Sequence, residues 1–165
     1  MTQLKISKIR DVRTPEYGTP GSAGIDFFIP NDLEQNLYLA PQSDILIPAG
    51  IKVALPENKM LVFKNKSGIA TSFGAMMRAG KKPKPTQPLA SLIVGACIVD
   101  SDYQGEVHIH VINVGNSEVR LMPGMKIAQA VVVDAPQYSL CVVPETDLFE
   151  HTSERGEGSF GSTNK

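Results

Sequence analysis

Apolar and polar residues alternate with a period of two through much of the chain, in short runs cut by glycine, proline, asparagine and aspartate. The pattern predicts strands at Leu4 to Val12, Ile25 to Ile29, Asp44 to Ile47, Ile51 to Leu55 and Met60 to Phe63. Further strands are expected at Ala90 to Val99, Gly105 to Asn113, Glu118 to Leu121 and Lys126 to Asp134. Turns such as Pro56-Glu57-Asn58-Lys59 and Val114-Gly115-Asn116 separate them, and the 14 glycines and 12 prolines fall as punctuation between runs. No window keeps a 3.6-residue period over three turns, and no internal repeat is present. The expected fold class is therefore all-β, a jelly-roll-like β-sandwich in which two packed sheets give each alternating strand a buried face.

Two segments break the pattern. Gly74 to Pro88 reads GAMMRAGKKPKPTQP, with three prolines and four basic residues, and is expected to be a surface loop inserted at about 75–88. The tail from Glu154 to Lys165 carries three glycines and one large apolar residue, Phe160, too little to form a core. The expected organisation is one β domain over 1–153 followed by a C-terminal arm over 154–165.

Composition narrows the function. The 165 residues are 42 % hydrophobic and 20 % charged, sufficient for one globular core. Sixteen Lys and Arg face seventeen Asp and Glu, a net charge of −1, so neither nucleic acid nor an anionic membrane is an expected partner. The apolar runs are shorter than a membrane span and the first residues lack the apolar core of a secretory signal, which predicts a cytoplasmic protein. Cys97 and Cys141 lie in apolar runs without metal-ligand spacing and are expected to be reduced core residues.

Several short motifs carry candidate chemistry. Val94 to Glu106 reads VGACIVDSDYQGE, an apolar strand entering a polar turn, and predicts a hairpin with Asp100 and Tyr103 at its tip. A carboxylate held there can act as general base on a water while a tyrosine ring offers a face to a sugar; ordinary turn usage of Asp, Ser and Gly explains the same residues. Arg155 to Thr163 combines glycines, hydroxyls and a cation suited to phosphate oxygens, with Phe160 placed to stack on an aromatic ligand. Lys66-Ser67-Gly68 offers a cation, a hydroxyl and a backbone amide. His108 and His110 share one strand face opposite Val107, Ile109 and Val111, and with distant His151 they lack metal-ligand spacing; they read as solvent-facing strand residues.

Taken in order, these pieces resemble the five motifs of the trimeric deoxyuridine triphosphatase (dUTPase) family. Gly21-Ser-Ala-Gly-Ile-Asp-Phe27 resembles the first, Lys66-Ser-Gly-Ile-Ala70 the second and Val94 to Glu106 the third. Pro123-Gly-Met-Lys-Ile-Ala-Gln129 resembles the fourth and Arg155 to Thr163 the fifth. The resemblance implies a homotrimer that hydrolyses dUTP to dUMP and pyrophosphate, with sites built from several chains. It implies Asp100 as the base that activates the attacking water, and Tyr103 beneath the deoxyribose. The backbone of Cys97, Ile98 and Val99 would read the uracil edge. Lys66, Ser67, Gly68 and Gln129 would hold the triphosphate, Arg155 the γ-phosphate, and Phe160 with Gly161 and Ser162 would close over the base. Mg2+ would sit on the three phosphates, with Asp26 reaching it through water. The chain departs from the family pattern at Lys66, where arginine is usual, and at Cys97 and Ser159, where glycine is usual. A related dCTP deaminase activity is the alternative enzyme reading. A nucleotide-gated platform for a protein partner, contacted through the 75–88 loop, is the alternative from another class.

Overall fold

The computed structural model describes residues 3–34, 37–70, 92–96, 98–151, 153–154 and 156–157. The 75–88 insertion therefore lies outside the described residues, as does nearly all of the 154–165 arm. The twelve described strands are β1 (Lys5–Lys8), β2 (Glu16–Tyr17), β3 (Ile25–Phe28), β4 (Leu37–Leu39), β5 (Asp44–Pro48), β6 (Ile51–Ala54), β7 (Lys59–Lys64), β8 (Leu92–Val94), β9 (Ile98–Val99), β10 (His108–Asn113), β11 (Val119–Leu121) and β12 (Lys126–Asp134). One helical turn, α1 (Ser67–Ala70), follows β7, and a 3-10 turn spans Glu145–Asp147. The all-β expectation holds.

All pairings are antiparallel. The largest sheet has the order β2-β3-β12-β7-β9, a second runs β5-β10-β8, and β1-β6 and β11-β4 form two-stranded ribbons. Inward positions converge on one core. Ile51 and Val53 of β6 and Ile109 and Val111 of β10 are buried while their sequence neighbours face outward, as the alternation predicts. Phe27 and Phe63 meet edge to face with centroids 4.9 Å apart. Every residue of β3 is buried, because β2 and β12 flank it and side chains cover both faces.

The structure corrects three expectations. The predicted strand Ala90 to Val99 divides: β8 pairs with β10, while β9 crosses to the other sheet and pairs with β7. The Val94 to Glu106 segment is accordingly a crossover between sheets, with no tight hairpin at its tip. Cys141 is exposed and free, because residues 136–150 run as an arm exposed along its whole length, with no other described residue covering it. Cys97 lies outside the described residues.

Candidate active site

A bulge in β12 builds the charged half of the site. Lys126 is register partner to Phe28 and Gln129 to Asp26, with Ile127 left out of the pairing. Cross-strand partners share a face, so Lys126 and Gln129 point the same way although three positions apart; regular alternation would oppose them. Lys126 Nζ donates to Asp26 Oδ2 at 2.7 Å, and Lys66 Nζ donates to Oδ1 at 3.0 Å. Glu16 lies across from Asp26 on β2 and 3.7 Å from Lys126, and Arg13 pairs with Glu16 at 2.6 Å. The Arg13 guanidinium and Lys126 ammonium lie 4.6 Å and 5.5 Å from the Phe28 ring centroid.

Asp26 is only 4 % exposed. Burial pushes its carboxyl up, but the ammoniums of Lys126 and Lys66 outweigh that and hold it below the ordinary carboxylate range. The face carries the cations Arg13, Lys66 and Lys126 against the carboxylates Glu16 and Asp26, an excess of one positive charge suited to phosphate oxygens.

The turn after β7 places Lys66, Ser67 and Gly68 beside this cluster. Ile69 and Ala70 donate their backbone N–H groups to Lys66 O at 2.9 and 3.0 Å, and buried Ile69 pins the turn to the core. Gln129 donates through Nε2 to Asn65 O at 3.2 Å, tying β12 to the approach of that turn. Gly24 leaves room for the Gln129 side chain: a Cβ there would stand 2.9 Å from Gln129 Oε1 and displace it.

The other half of the site is a cleft of about 240 Å³ lined by Leu46, Ala96, Ile98, Val99, Asp100, Tyr103 and His108. Tyr103 donates its backbone N–H to Asp100 O at 3.2 Å, and its hydroxyl donates to Glu106 O at 2.8 Å. The ring lies so close to Gly105 that a Cβ there would be 2.3 Å from the phenolic oxygen. Glu106 is anchored by Arg10 Nε and by the N–H of Gly50, both at 2.8 Å. Burial pushes the Glu106 carboxyl up, and the hydrogen bonds from Arg10 and Gly50 turn the balance, leaving it lowered. Asp100 is exposed at the mouth of the cleft, whereas the Val99 side chain is buried and offers only its backbone.

Within one chain the two halves do not meet. Val62 and Leu61 pair with Ile98 and Val99, which sets Asp100 level with Met60, whereas Gln129 pairs with Lys64. Four residues of strand separate those levels, about 13 Å, and none of the charged cluster lines the Asp100 cleft.

The match to known proteins spans the whole chain. A deoxyuridine 5'-triphosphate nucleotidohydrolase of Fusobacterium nucleatum is 32 % identical over 163 residues, 99 % of this chain and 97 % of that protein. One from Dictyoglomus turgidum is 33 % identical, covering 99 % of each. The chain belongs to the dUTPase family. The family model, described as dUTPase, matches residues 86–164. Among solved structures, the Staphylococcus bacteriophage 80alpha dUTPase with dUpNHpp superposes with a TM-score of 0.76 at 22 % identity, covering 99 % of each chain. The dUTPase from phage phi11 of S. aureus, described for its species-specific insert, gives 0.69 at 19 % identity over 90 % of this chain and all of that one. These two likenesses show a common fold.

Of the residues that the motifs single out, the structure brings Asp26, Lys66, Ser67, Gly68 and Gln129 to one face and Ile98, Val99, Asp100 and Tyr103 to the other. Cys97, Arg155, Phe160, Gly161 and Ser162 lie outside the described residues, as does any partner contact at 75–88. The sequence reading of the site omitted Lys126, although it lies inside the fourth motif: plain alternation assigns it to the face opposite Gln129. Alternation makes His110 a solvent-facing residue, yet it is half-buried and bonded at both ring nitrogens.

Proposed function

We infer that this chain hydrolyses dUTP to dUMP and pyrophosphate, which keeps uracil out of DNA and supplies dUMP for thymidylate synthesis. The observation that carries this reading is the division of labour in a full-length dUTPase-family chain: cations gathered around Asp26 on one face, and a carboxylate beside an aromatic ring in a cleft on the other. Asp100 accepts a proton from a water as that water's oxygen attacks the α-phosphorus. The bond from the α-phosphorus to the bridging oxygen breaks and pyrophosphate leaves. Lys66 and Lys126, with Ser67, Gly68 and Gln129, hold the phosphates and take up the charge that develops on them. Tyr103, fixed flat by Gly105 and Glu106, lies under the deoxyribose and leaves no space for a 2'-hydroxyl. Ile98 and Val99, with Cys97, meet the base through the backbone. Arg155 binds the γ-phosphate, and Phe160, Gly161 and Ser162 close over the uracil.

The donor set fits a Mg2+ that arrives on the triphosphate. Among the described residues no three His, Cys, Asp or Glu side chains cluster as a metal cage, and both Asp26 oxygens are engaged by lysines. When bound, Mg2+ neutralises phosphate charge. Asp26 would hold the ion through water, and Lys66 and Lys126 beside it would share the phosphate charge.

Separation of the two halves, together with the bare apolar arm, supports a homotrimer of jelly-roll subunits in which each site takes its cleft from one chain and its cations from another. Tyr138, Leu140 and Val142 are 79 %, 94 % and 98 % exposed in the single chain, far from the usual state of large apolar side chains. The substrate is a soluble intracellular nucleotide, which supports a cytoplasmic location. The test is pyrophosphate release from dUTP, dTTP, dCTP and UTP, with and without Mg2+, alongside the mass in solution by light scattering. Release from dUTP alone, dependent on Mg2+, from a particle of three chains is expected. Ammonia from dCTP would overturn the reading in favour of a deaminase.

A further inference from the structure

His110 occupies a place that no dUTP-binding role assigns. It lies on β10 where β8 ends, and it engages the departing chain twice and Asp44 of β5 once. Its carbonyl accepts from the N–H of Gly95 at 3.0 Å, its Nδ1 accepts from the N–H of Ala96 at 3.1 Å, and its Nε2 lies 2.9 Å from Asp44 Oδ2. The amide of Ala96 can only donate, so Nδ1 is the acceptor, the neutral ring carries its hydrogen on Nε2, and Asp44 accepts it. The imidazole also lies hard against Gly95, where a Cβ would be 2.3 Å from Nδ1 and 2.8 Å from Cε1. Gly95 has no positive φ. Close approach of the ring therefore demands glycine there.

The segment so clamped is the crossover from one sheet to the other. Val94 is still paired with β10, and by Ile98 the chain is paired with β7. Ala96, Ile98 and Val99 all line the cleft that holds Asp100 and Tyr103, and Leu46, the register partner of His110, lines it too. A one-residue slip at Gly95 or Ala96 would rotate the following peptide groups, which is the part of the chain a flat polar ligand edge would meet.

We propose that His110, oriented by Asp44, is a positioning residue for base recognition: it sets the backbone at Gly95 and Ala96 so that the peptide groups of Ile98 and Val99 beyond them meet the uracil edge. This rests on reading the Asp100 cleft as the base site. His110 touches no substrate in this role, so its effect falls on ground-state binding more than on the chemical step.

The test uses two substitutions in the full-length enzyme. His110→Val supplies a good strand former but removes the acceptor; His110→Asn places an amide oxygen close to the position of Nδ1 and restores it. Loss of the acceptor is expected to raise KM for dUTP about tenfold with kcat within about threefold, the upper end of the scale for one lost hydrogen bond. His110→Asn is expected to bring KM back to within about threefold of the unsubstituted enzyme. Amide exchange at Ala96 in nucleotide-free protein supplies the independent readout: faster by about tenfold in His110→Val and unchanged in His110→Asn. If the unsubstituted protein failed to hydrolyse dUTP, the functional reading would fall while the exchange data still judged the clamp. Unchanged KM in His110→Val overturns the proposal even where exchange accelerates, and so does a KM that His110→Asn leaves as high as His110→Val.

Discussion

Lys126 reaches Asp26 across two strands because Ile127 drops out of register between them. Without that one-residue bulge the ammonium would point to the far side of the sheet, and the carboxylate, nearly fully buried, would keep only Lys66. Local irregularity in a strand thus sets the charge of the surface proposed to face the phosphates.

Replacing Lys126 by glutamine tests the assignment of that ammonium to the triphosphate. Affinity for a non-hydrolysable dUTP analogue should fall about tenfold, the scale of one charge-assisted hydrogen bond, while affinity for dUMP changes less than about threefold. Calorimetric titration of both ligands decides it, and equal losses for the two would remove Lys126 from the phosphate site.

Asp100→Asn keeps size and hydrogen-bonding capacity but cannot take up the proton of the attacking water. A loss of about 10²- to 10⁴-fold in kcat is expected, with analogue binding preserved or slightly tightened because a negative charge near the phosphates is gone. Asp102→Asn is the control and should stay near the unsubstituted rate. Greater damage from Asp102→Asn than from Asp100→Asn would require another base.

Gly105→Ala addresses sugar selectivity without touching Tyr103 itself. The new methyl cannot coexist with the phenolic oxygen at 2.3 Å, so the ring must lift and its bond to the Glu106 carbonyl must break. The ratio of kcat/KM for UTP to that for dUTP should rise by about tenfold or more, as space opens for a 2'-hydroxyl. A ratio that does not move would separate Tyr103 from discrimination.

The lowered carboxyls of Asp26 and Glu106 fix the direction of acid sensitivity. Each is more acidic folded than unfolded, so the unfolded chain binds more protons in the acid range. Their contribution is complete above the ordinary carboxylate value of about 4 and is lost as the pH falls through the lower folded values. The thermal midpoint should hold from about pH 7 to about pH 5 and drop below about pH 4. Asp26→Asn should cost about 2 kcal/mol at neutral pH and flatten part of that drop, measured by calorimetry across the range. An unaltered acid limb in the variant would show that Asp26 does not carry the linkage.

What could be read from the chain beforehand follows the length and regularity of its strands. Alternation marks Ile51–Ala54 and His108–Asn113 plainly, since each has one face in the core and one outside. Glu16–Tyr17 and Leu37–Leu39 are too short to express a period, and both escape the sequence reading. The apolar run through Val94 and Ile98 looks like one strand, because nothing local says that a histidine fifteen residues past Gly95 will press on its backbone. The motif residues on α1, β9 and β12 were legible as chemistry, but their division between two distant faces is a property of pairing, which no short stretch of sequence contains. Cys141 misleads for a similar reason: its apolar neighbours signal burial without saying on which molecule.

The arm that carries Tyr138, Leu140 and Val142 also bears on the life of the newly made chain. Until it is covered, it offers an extended stretch with apolar side chains at two-residue intervals, the kind of segment that holdase chaperones and degradative proteases engage. Where the cover is a second copy of the chain, as in the homotrimer proposed above, survival of the protein in a cell would be tied to its rate of synthesis, since chains made too sparsely to find one another would be cleared.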